Sequence, residues 1–187
     1  MFHMKQEKIN IKLFDELMKK PSHQRGLARK LDTNQTQIRR KLIELENSNI
    51  VDSSVEGKNT IYSIKDSIES KIYQRIIENK KLLLFLEKSK IRKIFKGIQK
   101  YLWEGVIKKD RAIVLFGSYV KDEEIKNSDI DIYINSGSEK EKNLIKELSD
   151  RIELKSGKFD KNQPLEKEII KNHVILNNIE GFLDLIR

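Results

Sequence analysis

The chain has 187 residues and a formal net charge of +9 at pH 7, a length that allows one ordinary domain or two small ones. It contains no cysteine, which excludes disulfide frameworks, thiolate metal sites and cysteine nucleophiles. Its excess of Lys and Arg favours polyanionic partners. Segment 1–20 is charged throughout and lacks the apolar run of a membrane span or an export signal. We therefore expect a cytoplasmic protein without membrane contact.

The first third of the chain predicts three helices followed by a hairpin. Apolar residues recur at helical spacing until Pro21, which opposes helix continuation. A second helix fits residues 23–31, and a third begins after Asn34, a favourable N-cap. Two β-prone runs, 50–55 and 60–64, flank a glycine turn and predict the hairpin.

This order of elements resembles the winged helix-turn-helix family across residues 1–65, with 34–47 in the place of the recognition helix. Residue types that contact base edges and phosphates lie at the start of that helix and on the wing. The predicted DNA-binding residues are Gln35, Thr36, Arg39, Arg40 and Lys58. We expect double-stranded DNA as a partner; the alternative is a winged helix used for protein contact or dimerisation.

The middle of the chain predicts a helical linker at 66–88, whose apolar positions suit a connector or the stripe of a homodimer, and an amphipathic helix over 89–103. After Gly105 the pattern changes. Residues 112–116 form a continuous apolar run, as in a strand buried on both faces. Residues 129–134 alternate between polar and apolar, which predicts a half-buried strand.

The C-terminal part predicts a helix over 139–155 that Gly157 caps, and then a short strand at 158–161. Pro164 suits the first turn of a helix that extends to Lys171, and a terminal helix begins at Ile179.

Two short motifs, one suited to a phosphate and one to a cation, lie at the ends of the two predicted strands. Gly117 and Ser118 close the first strand, ten residues intervene, and Asp129-Ile130-Asp131 opens the second. Residues two apart on a strand point to the same face, so both carboxylates lie on one side. Such a pair favours Mg²⁺, which carboxylates bind together with phosphate oxygens. The glycine permits close backbone approach, and the serine hydroxyl with the N–H groups of a following helix predicts a phosphate site.

The segment 116–134, FGSYVKDEEIKNSDIDIYI, resembles the signature of minimal nucleotidyltransferase domains in the DNA polymerase β superfamily, over about residues 90–187. The resemblance implies a small mixed sheet with flanking helices. It places Gly117 and Ser118 at a triphosphate and Asp129 and Asp131 on two Mg²⁺ ions. The expected organisation is thus α+β: a winged helix-turn-helix domain (1–65), a helical linker (66–88) and a nucleotidyltransferase domain (89–187).

The same resemblance implies a third catalytic and metal-binding carboxylate on the next strand. Asp160 is the preferred residue, because it follows the helix-ending glycine on an apolar–polar alternation. Glu153 is the alternative, although its neighbours fit a helix that would hold it away from the sheet. Family members usually have glycine where this chain has Asp122, an added charge near the triphosphate.

The implied activity is transfer of a nucleoside monophosphate, AMP from ATP, to an acceptor hydroxyl with release of pyrophosphate. Minimal nucleotidyltransferases of this kind resemble antitoxins that modify a HEPN-type toxin, and a winged helix suits autoregulation of such a pair. The alternative is a DNA-binding regulator whose transferase-like domain senses nucleotide or binds a partner without turnover.

Overall fold

The structure, a computed structural model, describes residues 2–121, 123–125 and 127–186, with side chains from residue 8 onward. It divides into two compact units, Met1–Lys80 and Lys81–Arg187. The boundary between these units lies within the predicted helical linker of 66–88, and the linker stays a prediction. None of the described helices has the length and apolar content needed to cross a bilayer.

The first unit consists of helices around a small antiparallel sheet. Its elements are α1 (Phe2–Lys19), β1 (Ser22–His23), α2 (Gln24–Lys30), α3 (Gln35–Asn47), β2 (Val51–Glu56), β3 (Asn59–Ile64) and the start of α4 (Ile68–Phe85). The three predicted helices and the hairpin are confirmed as elements. Strand β1 was not predicted, because two residues carry no periodicity; it pairs with β3 and gives the sheet order β1-β3-β2.

Local signals set the boundaries of these elements. The side chain of Asn34 accepts a hydrogen bond from Gln37 N at 2.7 Å and so caps α3. Ile38 and Leu42 are buried on one side of this helix. The hairpin closes through a two-residue loop between the paired residues Glu56 and Asn59, where Gly57 has φ +61°, a conformation that glycine adopts without steric cost.

Helix α4 leaves its predicted apolar positions in solvent. Ile68, Ile72 and Ile76 are exposed, whereas Ile77 is fully buried. The exposed residues recur every fourth position and so share one face of the helix. This is the stripe that suits a dimer, and the homodimer stays a prediction.

The second unit is a four-stranded mixed sheet with helices on both faces. Its elements are the end of α4, α5 (Ser89–Trp103), β4 (Ile113–Phe116), β5 (Ile130–Asn135), α6 (Glu139–Lys146), β6 (Ile152–Gly157), α7 (Pro164–Lys171), β7 (Val174–Asn177) and α8 (Ile179–Ile186). The strand order is β6-β5-β4-β7, with β5 and β6 parallel and the other pairs antiparallel. The mixed α+β architecture is as expected.

Alternation along the strands sends side chains to two separate cores. One face of the sheet packs against α5 and α6 through residues such as Ile132 and Ile98. The other face packs against α7 and α8, and Tyr133 and Phe182 lie in that core. Strand β5 is consequently more buried than its alternating sequence predicted, because Phe159 covers Tyr133 with the two rings 5.6 Å apart.

The region after β5 corrects two predictions. The helix expected over 139–155 ends at Lys146, and the strand expected at 158–161 is Ile152–Gly157 instead. Six residues of β6 pair with β5, so sheet hydrogen bonding prevails over the apolar spacing that favoured a longer helix. Gly157 ends a strand, and its carbonyl accepts a hydrogen bond from the Tyr133 hydroxyl at 2.9 Å.

Glu141 is a buried acid that ties α6 to the chain before β4. It forms a capping box with Ser138 and accepts a hydrogen bond from Lys108 N at 2.9 Å. Burial by itself would raise the pKa of this carboxyl, but the hydrogen bonds from Lys108 and Ser138 and the nearby charge of Arg111 lower it to about 2. Glu141 therefore remains charged and stabilises the fold at neutral pH.

Replacement Glu141→Gln should lower the free energy of unfolding by about 1–3 kcal/mol at neutral pH, because the new amide turns N–H groups toward N–H donors. Folding lowers the pKa of Glu141 from 4.5 to about 2. The carboxylate therefore contributes its full stabilisation above about pH 4.5 and loses it as the pH falls toward the folded-state pKa. Urea unfolding followed by circular dichroism should show a difference from wild type that shrinks as the pH falls from about 5 to about 2.

Glu139→Gln is the matched control, since Glu139 lies in the first turn of the same helix but is exposed. Its cost should not exceed about 1 kcal/mol. Equal costs for the two variants would contradict the role given to Glu141.

Candidate functional site

The chain turns sharply where β4 ends. Gly117 is buried and has φ +74°, a left-handed conformation that other residues adopt only with strain. The carbonyl of Gly117 accepts hydrogen bonds from Val120 N at 3.2 Å and Lys121 N at 3.3 Å. Ser118 to Lys121 thus form a single tight turn, where a helix was expected after the glycine and serine.

The Asp131 carboxylate lies directly against this bend. A Cβ added to Gly117 would lie 2.8 Å from Asp131 Cγ, and nearer still to Oδ2, distances that real side chains do not adopt. Phe116 pairs with Asp131 in the β4–β5 ladder, which sets this approach. The absence of a side chain at 117 is therefore what admits the carboxylate.

Negative charge accumulates around Asp131. Burial raises the pKa of this carboxyl, and the charges of Glu153, Asp129 and Glu168 raise it further, in that order. Asp129 is exposed and lies just before β5, and its charge acts on Asp131. That both carboxylates face one side of the strand stays a prediction. Glu168 reaches the site from α7, and the sequence contained no signal for it.

The residue paired with Asp131 on the neighbouring strand is Glu153, not Asp160. Asp131 and Glu153 are partners in the parallel β5–β6 ladder, so their side chains leave the same face of the sheet. The preference for Asp160 rested on a strand at 158–161, and that strand does not exist. The sequence signal that would have found Glu153 is the period-two alternation of 152–155.

Asp160 has a local role in the structure. It is exposed, beyond the end of β6, and its carboxylate accepts hydrogen bonds from Asn162 N at 3.0 Å and Gln163 Nε2 at 3.3 Å. The hydrogen bond from Asn162 is the main reason why the pKa of Asp160 is lowered. The residue holds the turn that leads into α7.

Two lysines offset part of the acidity. Lys155 pairs with Glu153, and Lys121 pairs with Glu168 at 2.6 Å. These pairings raise the pKa of each lysine, and the charge of Asp131 adds to both. The site thus combines carboxylates with two cations: Lys155 is on the same strand as Glu153, and Lys121 is in the turn that follows Gly117.

A further lysine fastens the loop that follows the bend. Lys88 Nζ donates a hydrogen bond to Tyr119 O at 3.1 Å and pairs with Glu124 at 2.6 Å. Lys88 is the N-cap residue of α5, so the beginning of this helix lies beside the site. Asp122 and Lys126 of the same loop lie outside the described residues.

The donor set fits a hard cation. Carboxylate oxygens are the ligands that Mg²⁺ prefers, and the half-buried Asp131 gathers the fields of three further acids. No cluster of three or more acidic or histidine side chains within metal-binding distance exists in the described part of the chain. The described residues therefore do not form the three-carboxylate metal site that the resemblance implies, and Mg²⁺ binding stays a prediction.

The predicted DNA-binding residues are all on the surface of the first unit. Gln35, Thr36, Arg39 and Arg40 are exposed on α3, and Lys58 is exposed in the β2–β3 turn. The side chain of Gln24 on α2 donates a hydrogen bond to Gln35 O at 2.9 Å and so positions the start of α3.

Replacement Gly117→Ala should destabilise the second unit strongly, because the new methyl overlaps Asp131. Gly105→Ala is the control: Gly105 also has positive φ (+71°), but nothing lies within 4 Å of an added Cβ. We expect about 1–2 kcal/mol for the control and about 1–3 kcal/mol more for Gly117→Ala, in the range of overpacking. Urea unfolding of the two variants measures the difference.

Most of the excess cost should disappear when Asp131 is also replaced by alanine, as a double-mutant cycle would show. A small part should remain, because the Cβ of residue 131 would still lie 3.1 Å from the new methyl. An excess that stays undiminished in the Asp131→Ala background would mean that the carboxylate does not contact the bend.

Comparison with curated proteins finds a match of 41% identity over 56 residues to an uncharacterized HTH-type transcriptional regulator of Methanocaldococcus jannaschii. The match covers 30% of this chain but only 14% of that relative. No solved structure matches the chain. Comparison with protein families matches residues 88–182, about half of the chain and nearly all of the second unit, to the family described as nucleotidyltransferase domain. Since this segment includes the bend at Gly117 and strands β4 to β7, the chain belongs to the nucleotidyltransferase domain family.

Proposed function

We propose that the chain is a Mg²⁺-dependent nucleotidyltransferase that transfers AMP from ATP to an acceptor hydroxyl. The observation that carries this proposal is the contact of the Asp131 carboxylate with the Gly117 bend. A backbone segment that can approach a phosphate therefore lies beside a carboxylate that can share a cation with that phosphate.

Each residue of the site has a distinct task in this proposal. Gly117 lets the Asp131 carboxylate lie against the bend whose backbone approaches the triphosphate. The hydroxyl of Ser118 donates to a phosphate oxygen. Asp129 and Asp131 hold the cation. Glu153, on the strand beside Asp131, replaces Asp160 as the third carboxylate and accepts the proton of the attacking hydroxyl.

Mg²⁺, when bound, neutralises the carboxylates and the phosphate oxygens during transfer. Lys121 lies next to the bend and pairs with Glu168. Its positive charge would also attract the outer phosphates of a bound triphosphate.

The acceptor that we propose is a hydroxyl of a HEPN-type toxin, with this chain as its antitoxin. This part of the proposal rests on the analogy with minimal nucleotidyltransferases. A reading frame for a HEPN-type protein beside the gene would support it.

For the first unit we propose binding of double-stranded DNA through α3 and the β2–β3 turn. The exposure of Arg39, Arg40 and Lys58 supports this, because phosphate contacts need accessible cations. The relative named as an HTH-type regulator also supports it. The same relative favours a second candidate function, a DNA-binding regulator whose transferase-like domain binds nucleotide without turnover.

The first test measures transfer of label from α-phosphate-labelled ATP, with Mg²⁺ and the HEPN-type protein. Asp131→Asn and Glu153→Gln should each reduce transfer by about 100-fold or more, as for loss of a group that stabilises transition-state charge. Asp160→Asn is the matched control and should remain within about 2-fold of wild type, since Asp160 only holds a turn.

A parallel measurement of ATP binding by calorimetry separates the two candidate functions. The enzyme should bind ATP more tightly with Mg²⁺ and yield labelled product. Wild type that binds ATP but forms no labelled product would contradict the enzymatic proposal and favour the regulator.

The DNA proposal predicts that Arg39→Ala with Arg40→Ala weakens binding to duplex operator DNA. Each lost phosphate contact should lower the slope of log K against log[salt] by about 0.9. Lys12→Ala with Lys20→Ala is the control, since both lysines are exposed on or after α1 in the same unit. Fluorescence anisotropy over a series of salt concentrations measures both values. An unchanged slope in the arginine variant would exclude groove contact by α3.

A further inference from the structure

Helix α5 in the second unit has one face in the core and an exposed face that carries only positive charge. Ile91, Ile94, Ile98 and Leu102 are buried. The helix contains five cations and no acid, and all five cations are exposed: Lys90, Arg92, Lys93, Lys96 and Lys100. At 100° per residue, Arg92, Lys93, Lys96 and Lys100 fall on one side, and we call them the α5 basic stripe.

The charge of this stripe is scarcely neutralised from within the chain. Among the residues that the structure describes, Lys93 and Lys96 form no ion pair, and Lys100 has only Glu104 at 3.8 Å, with both side chains largely exposed. Exposed pairs of this kind contribute little. Lys121 and Lys155 at the catalytic site, by contrast, each pair with a carboxylate. The stripe therefore presents a field that favours a polyanion.

Trp103 completes the stripe at the C-terminal end of α5. It is the only tryptophan in the chain, and its side chain is 90% exposed. Tryptophan is highly buried on average in folded proteins, so a ring this exposed beside cations is a feature that needs an explanation. An exposed aromatic ring among cations is the combination on which unpaired bases stack while their phosphates are neutralised.

We propose that the α5 basic stripe and Trp103 form a binding surface for single-stranded RNA. A single strand is favoured over a duplex, because bases inside a helix cannot stack on a side chain. RNA is the nucleic acid whose loops and ends present such unpaired bases. This binding does not depend on the transferase activity, and its test needs no turnover.

The surface has a suitable size and position. A helix of 15 residues is about 22 Å long, enough for the shortest single-strand sites of about 4 nucleotides. Its N-terminal end adjoins the loop after Gly117 through the contacts of Lys88 with Tyr119 and Glu124. A strand bound along α5 would therefore extend from the transferase site toward Trp103.

The experiment measures binding of the full-length protein to a labelled single-stranded oligoribonucleotide of about 12 nucleotides, by fluorescence anisotropy at several salt concentrations. Lys93→Glu with Lys96→Glu should weaken binding at least 10-fold. Lys93→Ala with Lys96→Ala should lower the salt slope by about 1.4, the value for two phosphate contacts of a single strand. Trp103→Ala should weaken binding about 5- to 150-fold, and Trp103→Phe should restore most of it, because stacking needs only a ring.

Matched controls separate this surface from other cations. Lys140→Glu with Lys146→Glu makes the same change of charge at exposed positions of α6 in the same unit and should leave RNA affinity within about 3-fold of wild type through long-range effects alone. Arg39→Ala with Arg40→Ala should also leave it unchanged, which distinguishes this surface from the proposed DNA-binding one. Circular dichroism establishes that each variant is folded.

Three outcomes would overturn the proposal. The first is equal affinity of wild type and of the Lys93→Glu, Lys96→Glu variant. The second is a duplex of the same length that binds as tightly as the single strand and is insensitive to Trp103→Ala. The third is competition by polyglutamate as effective as that by unlabelled RNA, which would identify an acidic protein as the partner.

Discussion

The contact between the Asp131 carboxylate and the backbone of Gly117 is the constraint on which the second unit's chemistry depends. Strand β4 must end in a left-handed glycine for the chain to turn, and strand β5 must begin in register for Asp131 to meet that turn. A side chain at 117 would occupy the space of the carboxylate. The left-handed backbone conformation and the space taken by the carboxylate therefore both require glycine at position 117.

Among the described residues, the candidate site has more carboxylates than cations. Asp131 is half-buried near three other acids, which raise its pKa together with burial. Lys121 and Lys155 offset only part of this charge from within the chain. A bound cation would offset the remaining negative charge, and this supports the proposal of a metal-dependent transfer.

The basic character of the chain resolves into surfaces with different chemistry. In the first unit, arginines on α3 and a lysine in the hairpin turn are exposed together with polar residues able to contact bases. In the second unit, the α5 basic stripe ends at an exposed tryptophan and includes no acid. Net charge by itself describes neither surface, because affinity for nucleic acid depends on where the cations lie and on what accompanies them.

The sequence by itself predicted most of the helices and strands of this protein. At the candidate site it predicted the glycine, the serine and the first two acids. Pro21, Asn34 and Pro164 mark helix ends through backbone chemistry that acts locally, and the Gly117-Ser118 and Asp129-x-Asp131 motifs carry their spacing in the chain. Residues 152–155 carry both a period-two alternation and a weak helical periodicity, and tertiary structure decided between them, because six backbone pairings with β5 make 152–157 a strand. Glu153 and Glu168 joined Asp131 for the same reason: partners that meet through a sheet register or a packed helix are distant in sequence, and no local pattern records their approach.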